Sequence, residues 1–171
     1  LRLPDPQIER ARGFLVPSVL ATSNLGIGVK LPYFIPIGDS KDLLLTPYLS
    51  PKTRTTEYRY RQLVQNGNLH IVGAISKDNF NRSNLKYFYK INSDFNLSYG
   101  LNIGLAVGHV NDGSYLKDYS YHSESAIDAQ VEVNKSSINE SRAFDVGLTY
   151  IKDNDPINSS GEYYSLIGTY S

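Results

Sequence analysis

From Phe95 to Val107 the chain reads Phe-Asn-Leu-Ser-Tyr-Gly-Leu-Asn-Ile-Gly-Leu-Ala-Val. Every odd position (Phe95, Leu97, Tyr99, Leu101, Ile103, Leu105, Val107) is apolar or aromatic. The even positions (Asn96, Ser98, Gly100, Asn102, Gly104, Ala106) are small or polar. Successive side chains of a β-strand point to opposite faces, so this alternation lays an apolar ribbon against a wet one. Read as one strand, the run exceeds the roughly 9–11 residues that cross a bilayer at a tilt, whereas soluble strands average about five or six. The small polar ribbon suits a water-filled lumen. The expected fold is therefore all-β: a segment of an antiparallel, up-and-down transmembrane β-barrel.

Composition agrees with this class. Of 171 residues, 17 are basic and 17 acidic, so no net charge draws the chain to nucleic acid or anionic lipid. Tyr is abundant, at 14, and Trp is absent, and aromatic girdles mark both interfaces of a membrane barrel. No run of about 18 apolar residues exists to form a membrane helix. Without Cys there is no disulfide framework and no thiolate metal site. The chain starts at Leu1, lacks Met and opens with no signal-like segment. It reads as an excised piece of a longer protein whose export signal lies upstream.

The pattern predicts about ten strands, with no convincing helix, near 13–22, 25–33, 42–50, 55–64, 68–76, 83–91, 95–109, 126–135, 142–151 and 162–170. Gln65-Asn66-Gly67-Asn68 and Asn92-Ser93-Asp94 read as tight turns, and Asn111-Asp112-Gly113 opens a longer Tyr-rich loop to about Ser125. Short connections alternating with longer ones are a barrel's pattern. Glu57, Arg59 and Arg61 alternate with Thr56, Tyr58 and Tyr60, and Asp128 and Glu132 alternate with Ile127, Ala129, Val131 and Val133. Candidates for the lumen are thus Glu57, Arg59, Arg61, Asn96, Asn102, Asp128 and Glu132. Tyr33, Tyr48, Tyr58, Tyr60, Tyr87, Tyr89, Tyr99, Tyr150 and Tyr170 are candidates for the girdle. A half-exposed sheet of a soluble β-sandwich binding module alternates in the same way, and ten strands could also close as a small porin-like pore. Pairing of the tenth strand with the first would mark that pore.

The first sixty residues carry sharper motifs: Gly13-Phe14-Leu15-Val16-Pro17-Ser18, Leu31-Pro32-Tyr33-Phe34, Asp42-Leu43-Leu44-Leu45-Thr46-Pro47-Tyr48 and Glu57-Tyr58-Arg59-Tyr60. Their order and spacing resemble the start of the barrel in the LptD family of outer-membrane lipopolysaccharide-assembly proteins. Asn111-Asp112-Gly113-Ser114-Tyr115-Leu116-Lys117-Asp118-Tyr119 is similar to a loop of that family. The resemblance implies that residues 1–12 are a junction from an upstream periplasmic domain and residues 13–171 the first strands of a larger barrel. It implies a non-catalytic transport wall in the outer membrane of a Gram-negative bacterium, with a lateral gate between the barrel's first and last strands. The implied partners are lipopolysaccharide, the plug lipoprotein LptE, a periplasmic LptA-type bridge reached through the upstream domain, and outer-membrane lipid. Lumen charges would meet the phosphorylated sugar head or LptE, or simply pair across strands.

The family's gate prolines match Pro17 and Pro32. Proline gives the ladder no N–H, so the match has a physical sense. If the first hairpin turns at Asn24-Leu25, Pro17 and Pro32 face each other. Taken alone, they read as an edge-strand proline and a strand terminator; the motif match around both favours the gate. His70, His109 and His122 lack metal-ligand spacing, no nucleophile motif accompanies the serines, and Gly26-Ile27-Gly28 lacks the rest of a phosphate loop. No catalytic residue, metal or cofactor is expected.

Overall fold

The computed structural model describes residues 11–22, 25–78, 85–98, 101–112 and 114–121, and the backbone of three strands within 129–135, 144–152 and 162–170. The strands are β1 (Gly13–Phe14), β2 (Ser18–Thr22), β3 (Gly26–Lys30), β4 (Tyr33–Pro36), β5 (Lys41–Leu49), β6 (Thr53–Val64), β7 (Gly67–Asp78), β8 (Leu85–Leu97) and β9 (Leu101–Val110), followed by β10 (Ala129–Lys135), β11 (Phe144–Lys152) and β12 (Glu162–Tyr170). One helical turn, α1 (Tyr115–Asp118), lies between β9 and β10. All the ladders are antiparallel and follow chain order from β5 to β10, and β11 pairs with β12. The described ladders leave β12 paired on one side only, and β1 and β2 likewise.

The register sorts the side chains into two faces. Across β5 to β9, one row reads Leu43, Tyr60, Ile71, Ile91, Val107, and the row beside it reads Leu45, Tyr58, Gly73, Tyr89, His109. On the opposite face, Arg61 pairs with Asp42 and His70, and His70 with Asn92. The apolar face stays open, with Val19 72%, Ile27 70% and Leu49 59% exposed. A contiguous open apolar surface of this kind needs a lipid or protein cover. Two glycines on it make room for rings: a Cβ at Gly73 would strike the Tyr58 ring, and one at Gly67 the Phe95 ring.

The long alternating run is not one strand. Phe95 pairs with Ile103, Asn96 with Asn102 and Leu97 with Leu101, so the chain reverses between Leu97 and Leu101. Asn92, Ser93 and Asp94 are no turn but the continuation of β8, paired with His70, Leu69 and Asn68. The period survives because residues on either side of the reversal pair odd with odd. A hairpin linked by an odd number of residues keeps the same side-chain parity on both strands.

The prolines also sit differently from the expected hairpin. Thr22 pairs with Gly26 and Ser18 with Lys30, but Phe14 pairs with Tyr33 and the Leu15 N–H donates to the Pro32 carbonyl at 2.8 Å. One extra residue therefore lies between Leu15 and Ser18, and Val16 and Pro17 together oppose Leu31, the pattern of a β-bulge. Pro17 and Pro32 do not face each other. β3 and β4 hold a single register against β5, with Lys30 opposite Tyr48 and Tyr33 opposite Leu45, so they are one strand interrupted at Leu31–Pro32. The Leu31 N–H donates to the Pro47 carbonyl at 3.0 Å, which puts a third proline at the same level.

Candidate functional site

The polar face of β5 to β8 carries the chemistry, and the segment after β9 folds back onto it. Asn111 starts this return. Its side chain accepts from the Tyr87 N–H and donates to the Leu85 carbonyl, each at 2.7 Å. Ser114 donates from its N–H and its hydroxyl to Asp112 Oδ1 at 2.9 Å, closing a tight turn. Burial pushes the Asp112 carboxyl up, but those bonds and the Lys86 ammonium at 3.3 Å outweigh it and hold the group below its ordinary value.

α1 then places three phenols on the sheet. The Tyr115 hydroxyl shares a hydrogen bond with Ser76 at 2.5 Å, and Ser76 shares another with Thr55 at 2.7 Å. The Tyr119 hydroxyl meets Thr53 at 2.9 Å. Tyr121 donates to Glu57 Oε1 at 3.0 Å and packs its ring against Phe88 at 4.9 Å. Tyr115 and Tyr119 stand 4.5 Å apart, and Tyr115, Tyr119, Thr53, Thr55 and Ser76 are all buried. Burial pushes the Tyr115 and Tyr121 phenols far up; the Glu57 charge adds to the rise in both, and for Tyr115 the Ser76 hydrogen bond offsets part of it. Both phenols are therefore neutral at ordinary pH, and Tyr121 donates to Glu57.

Glu57 also accepts from Lys30 Nζ at 2.6 Å, on the same Oε1 that Tyr121 uses. Arg61 donates through Nε and Nη2 to Asp42 at 3.0 and 2.9 Å, a two-pronged pair whose carboxylate is buried while the guanidinium is half exposed. Arg59 lies between them along β6, beside a cleft of about 200 Å³ lined by Leu44, Glu57, Phe88 and Tyr121. Among the described residues its buried Nε has no hydrogen-bond partner.

Glu57, Arg59 and Arg61 thus share one face, as the alternation requires. Asn96 and Asn102 pair with each other at the far end of β8 and β9, away from this cluster. Glu132 pairs with Gly104, and Asp128 lies outside the described residues. Tyr33, Tyr58, Tyr60, Tyr87 and Tyr89 alternate with the polar face. Tyr48 does not: it is 2% exposed, lies over Gly28 and donates to the Gly26 carbonyl at 3.3 Å. Its hydroxyl finds a part-buried backbone acceptor there. Tyr99 is outside the described residues, as are the side chains of Tyr150 and Tyr170. His109 packs beside Tyr87 and Tyr89, at 6.1 and 6.0 Å, on the face opposite His70. Among the described residues no group of three potential metal ligands forms. Sequence reasoning missed Lys30, Tyr115, Tyr119, Tyr121 and Pro47. Only the Thr46-Pro47 pair, a proline inside an alternating run, signalled itself.

No protein-family model matches the chain. Over 115 residues, 66% of its length, the chain is 32% identical to the LPS-assembly protein LptD of Cupriavidus necator, of which it covers 14%. It is 27% identical over 120 residues to the LptD of Francisella tularensis subsp. holarctica, of which it covers 13%. Against the LptD of Idiomarina loihiensis the match extends over 164 residues, 94% of the chain, at 26% identity and 20% of that protein. The chain spans a fifth or less of these relatives. The similarity is weak and partial, and it supports kinship with LptD proteins at the level of the family.

Proposed function

We propose that this chain forms the first strands of the barrel wall of a lipopolysaccharide translocon in the outer membrane, and that β1 to β4 line its lateral gate. In this reading the polar face borders the lumen and the apolar face meets outer-membrane lipid. Residues 1–12 join an upstream periplasmic domain that meets an LptA-type bridge, and residues 13–171 begin the barrel. The plug lipoprotein LptE and the phosphorylated sugars of lipopolysaccharide are the partners of the polar face, with Arg59, Arg61, Asn96, Asn102, Asp128 and Glu132 along their path. The wall guides its cargo and catalyses no covalent step.

The observation that carries the reading is the weakness of the first strand pair at the level of Pro17 and Pro32. β1, β2, β3 and β4 are two to five residues long, whereas β6, β7 and β8 run to 12 or 13. Pro32 lacks the N–H that would return the Leu15 bond, which weakens the pair by order 1 kcal/mol. A wall that parts sideways needs such a line. The test is photo-crosslinking in the full protein in its native membrane, with the crosslinker at Val16, Ser18 and Leu31 and, as a remote control, at Leu148. Lipopolysaccharide adducts at the first three and none at Leu148 support the gate. A folded, inserted protein with no adducts at any position removes it.

A further inference from the structure

The β2–β3 hairpin has few backbone bonds to the sheet, and Leu25 at its turn is buried in the cluster that holds Tyr48, Tyr115 and Tyr119. β3 pairs with β5 at Val29 and Lys30 alone, because β5 ends at Leu49, and the bulge at Val16–Pro17 and the break at Leu31–Pro32 cut the hairpin off from β1 and β4. Besides the two backbone pairs and the packing of Leu25 and Leu20 into the buried cluster, two polar side-chain links among the described residues tie it to the wall. Tyr48 reaches the Gly26 carbonyl, and Lys30 reaches Glu57 on β6, two strands away. The Glu57 oxygen that takes Lys30 is the one that takes Tyr121 from the docked loop. Both partners sit in a half-buried place, with the Lys30 and Glu57 side chains 25% and 24% exposed, so the pair is shielded from water more than a surface ion pair.

We propose that Glu57 is the joint of a latch: it ties the hairpin that borders the opening to the loop docked on the polar face, so that docking holds the hairpin in and undocking releases it. The latch rests on the lateral-gate reading above. The geometry makes the coupling two-way. The Tyr121 phenol is neutral and donates, which leaves the carboxylate charge for Lys30. Losing Tyr121 loosens the oxygen that Lys30 grips, and losing Lys30 leaves the carboxylate free to swing away from Tyr121. Glu57 acts on the opening through Lys30, so it is a positioning residue.

Hydrogen exchange on the full protein tests this with Tyr121→Phe and Lys30→Met, both mild enough to keep the fold, and exchange in β7 serves as the check that they do. Tyr121→Phe should speed exchange across residues 18–30 by about three- to tenfold, the range of one hydrogen bond. Lys30→Met should do the same across residues 115–121. Either variant should also raise the adduct yield at Val16. If each variant loosens only its own segment, the latch is overturned. Adducts at Val16 in the unaltered protein, with no such cross-talk, sink the latch and leave the gate standing. Cross-talk without any adduct overturns the gate, and with it the role proposed for Glu57.

Discussion

Ser76→Ala is the sharpest test of the docked loop. Ser76 is 1% exposed and serves two buried hydroxyls at once, Tyr115 on one side and Thr55 on the other. Alanine fits the space and removes nothing else. Withdrawing a partner from a buried polar group costs about 1–3 kcal/mol, which multiplies the undocked fraction of the loop by roughly fivefold to somewhat over a hundredfold. Tyr115→Phe removes the other end. It leaves Ser76 bonded to Thr55, so its cost falls nearer the net worth of one hydrogen bond, about 0.5–1.5 kcal/mol. The double variant strands no phenol and should undock little more than Tyr115→Phe alone. Amide exchange across residues 115–121, read in all four proteins, gives the coupling directly. If Ser76→Ala leaves that exchange unchanged, or the two effects simply add, the hydroxyl network does not hold the loop and the account of the site fails.

Alkali should release the same loop. Tyr115 and Tyr121 have raised pKa values in the docked state, so their stabilisation is whole below the ordinary phenol value of about 10 and is lost as pH climbs past it toward the raised folded values. Tyrosinate absorbance compared with the Tyr115→Phe, Tyr121→Phe double variant should show these two phenols ionising after the rest; ionisation at the ordinary value contradicts docking. Gly73→Ala should destabilise the wall by about 1–3 kcal/mol, because its Cβ meets the Tyr58 ring and the Phe88 carbonyl, whereas Gly13→Ala meets nothing within 4 Å. Thermal unfolding in lipid would separate them, and equal midpoints would refute the packing. Arg61→Ala should cost more than Asp42→Ala, since the first takes a two-pronged partner from a buried carboxylate while the second frees a half-exposed guanidinium to rehydrate. Urea midpoints in the reverse order would show that the pair does not govern this corner.

The two-faced sheet was legible because alternation is set by backbone geometry alone. The same geometry hid the β8–β9 turn. A reversal that keeps odd residues facing odd residues leaves no mark in the period, and Ser98 and Gly100 differ little from the other small residues of the run. The proline register was hidden for two reasons: the hairpin pairs Thr22 with Gly26, one step from the expected register, which already sets Pro17 against Leu31, and the extra residue at Val16–Pro17 then shifts the strand once more. Glu57, Arg59 and Arg61 were placed on the right face, but their partners were not legible. Lys30 is 27 residues from Glu57 and Tyr121 is 64 away, and periodicity carries no information across such spans. Tyr115, Tyr119 and Tyr121 look like any Tyr-rich loop until the Ser76, Thr53 and Glu57 acceptors are brought beneath them.

The distribution of pairing along the chain has its own logic. β6, β7 and β8 are joined by long unbroken ladders, while the three prolines, the bulge and the strand break crowd into the strands before them. Loose pairing throughout would leave the sheet without a frame, and tight pairing throughout would leave no place to part. Confining the loss to β1 to β5 concentrates any opening there, beside the unbroken ladders of β6 to β8. The latch residues follow the same division. Glu57 stands on the long central strand, and Lys30 and Tyr121 stand on the hairpin and the docked loop. An acidic joint on the frame, held by a donor from each piece, is what would let either report its position to the other without disturbing the wall.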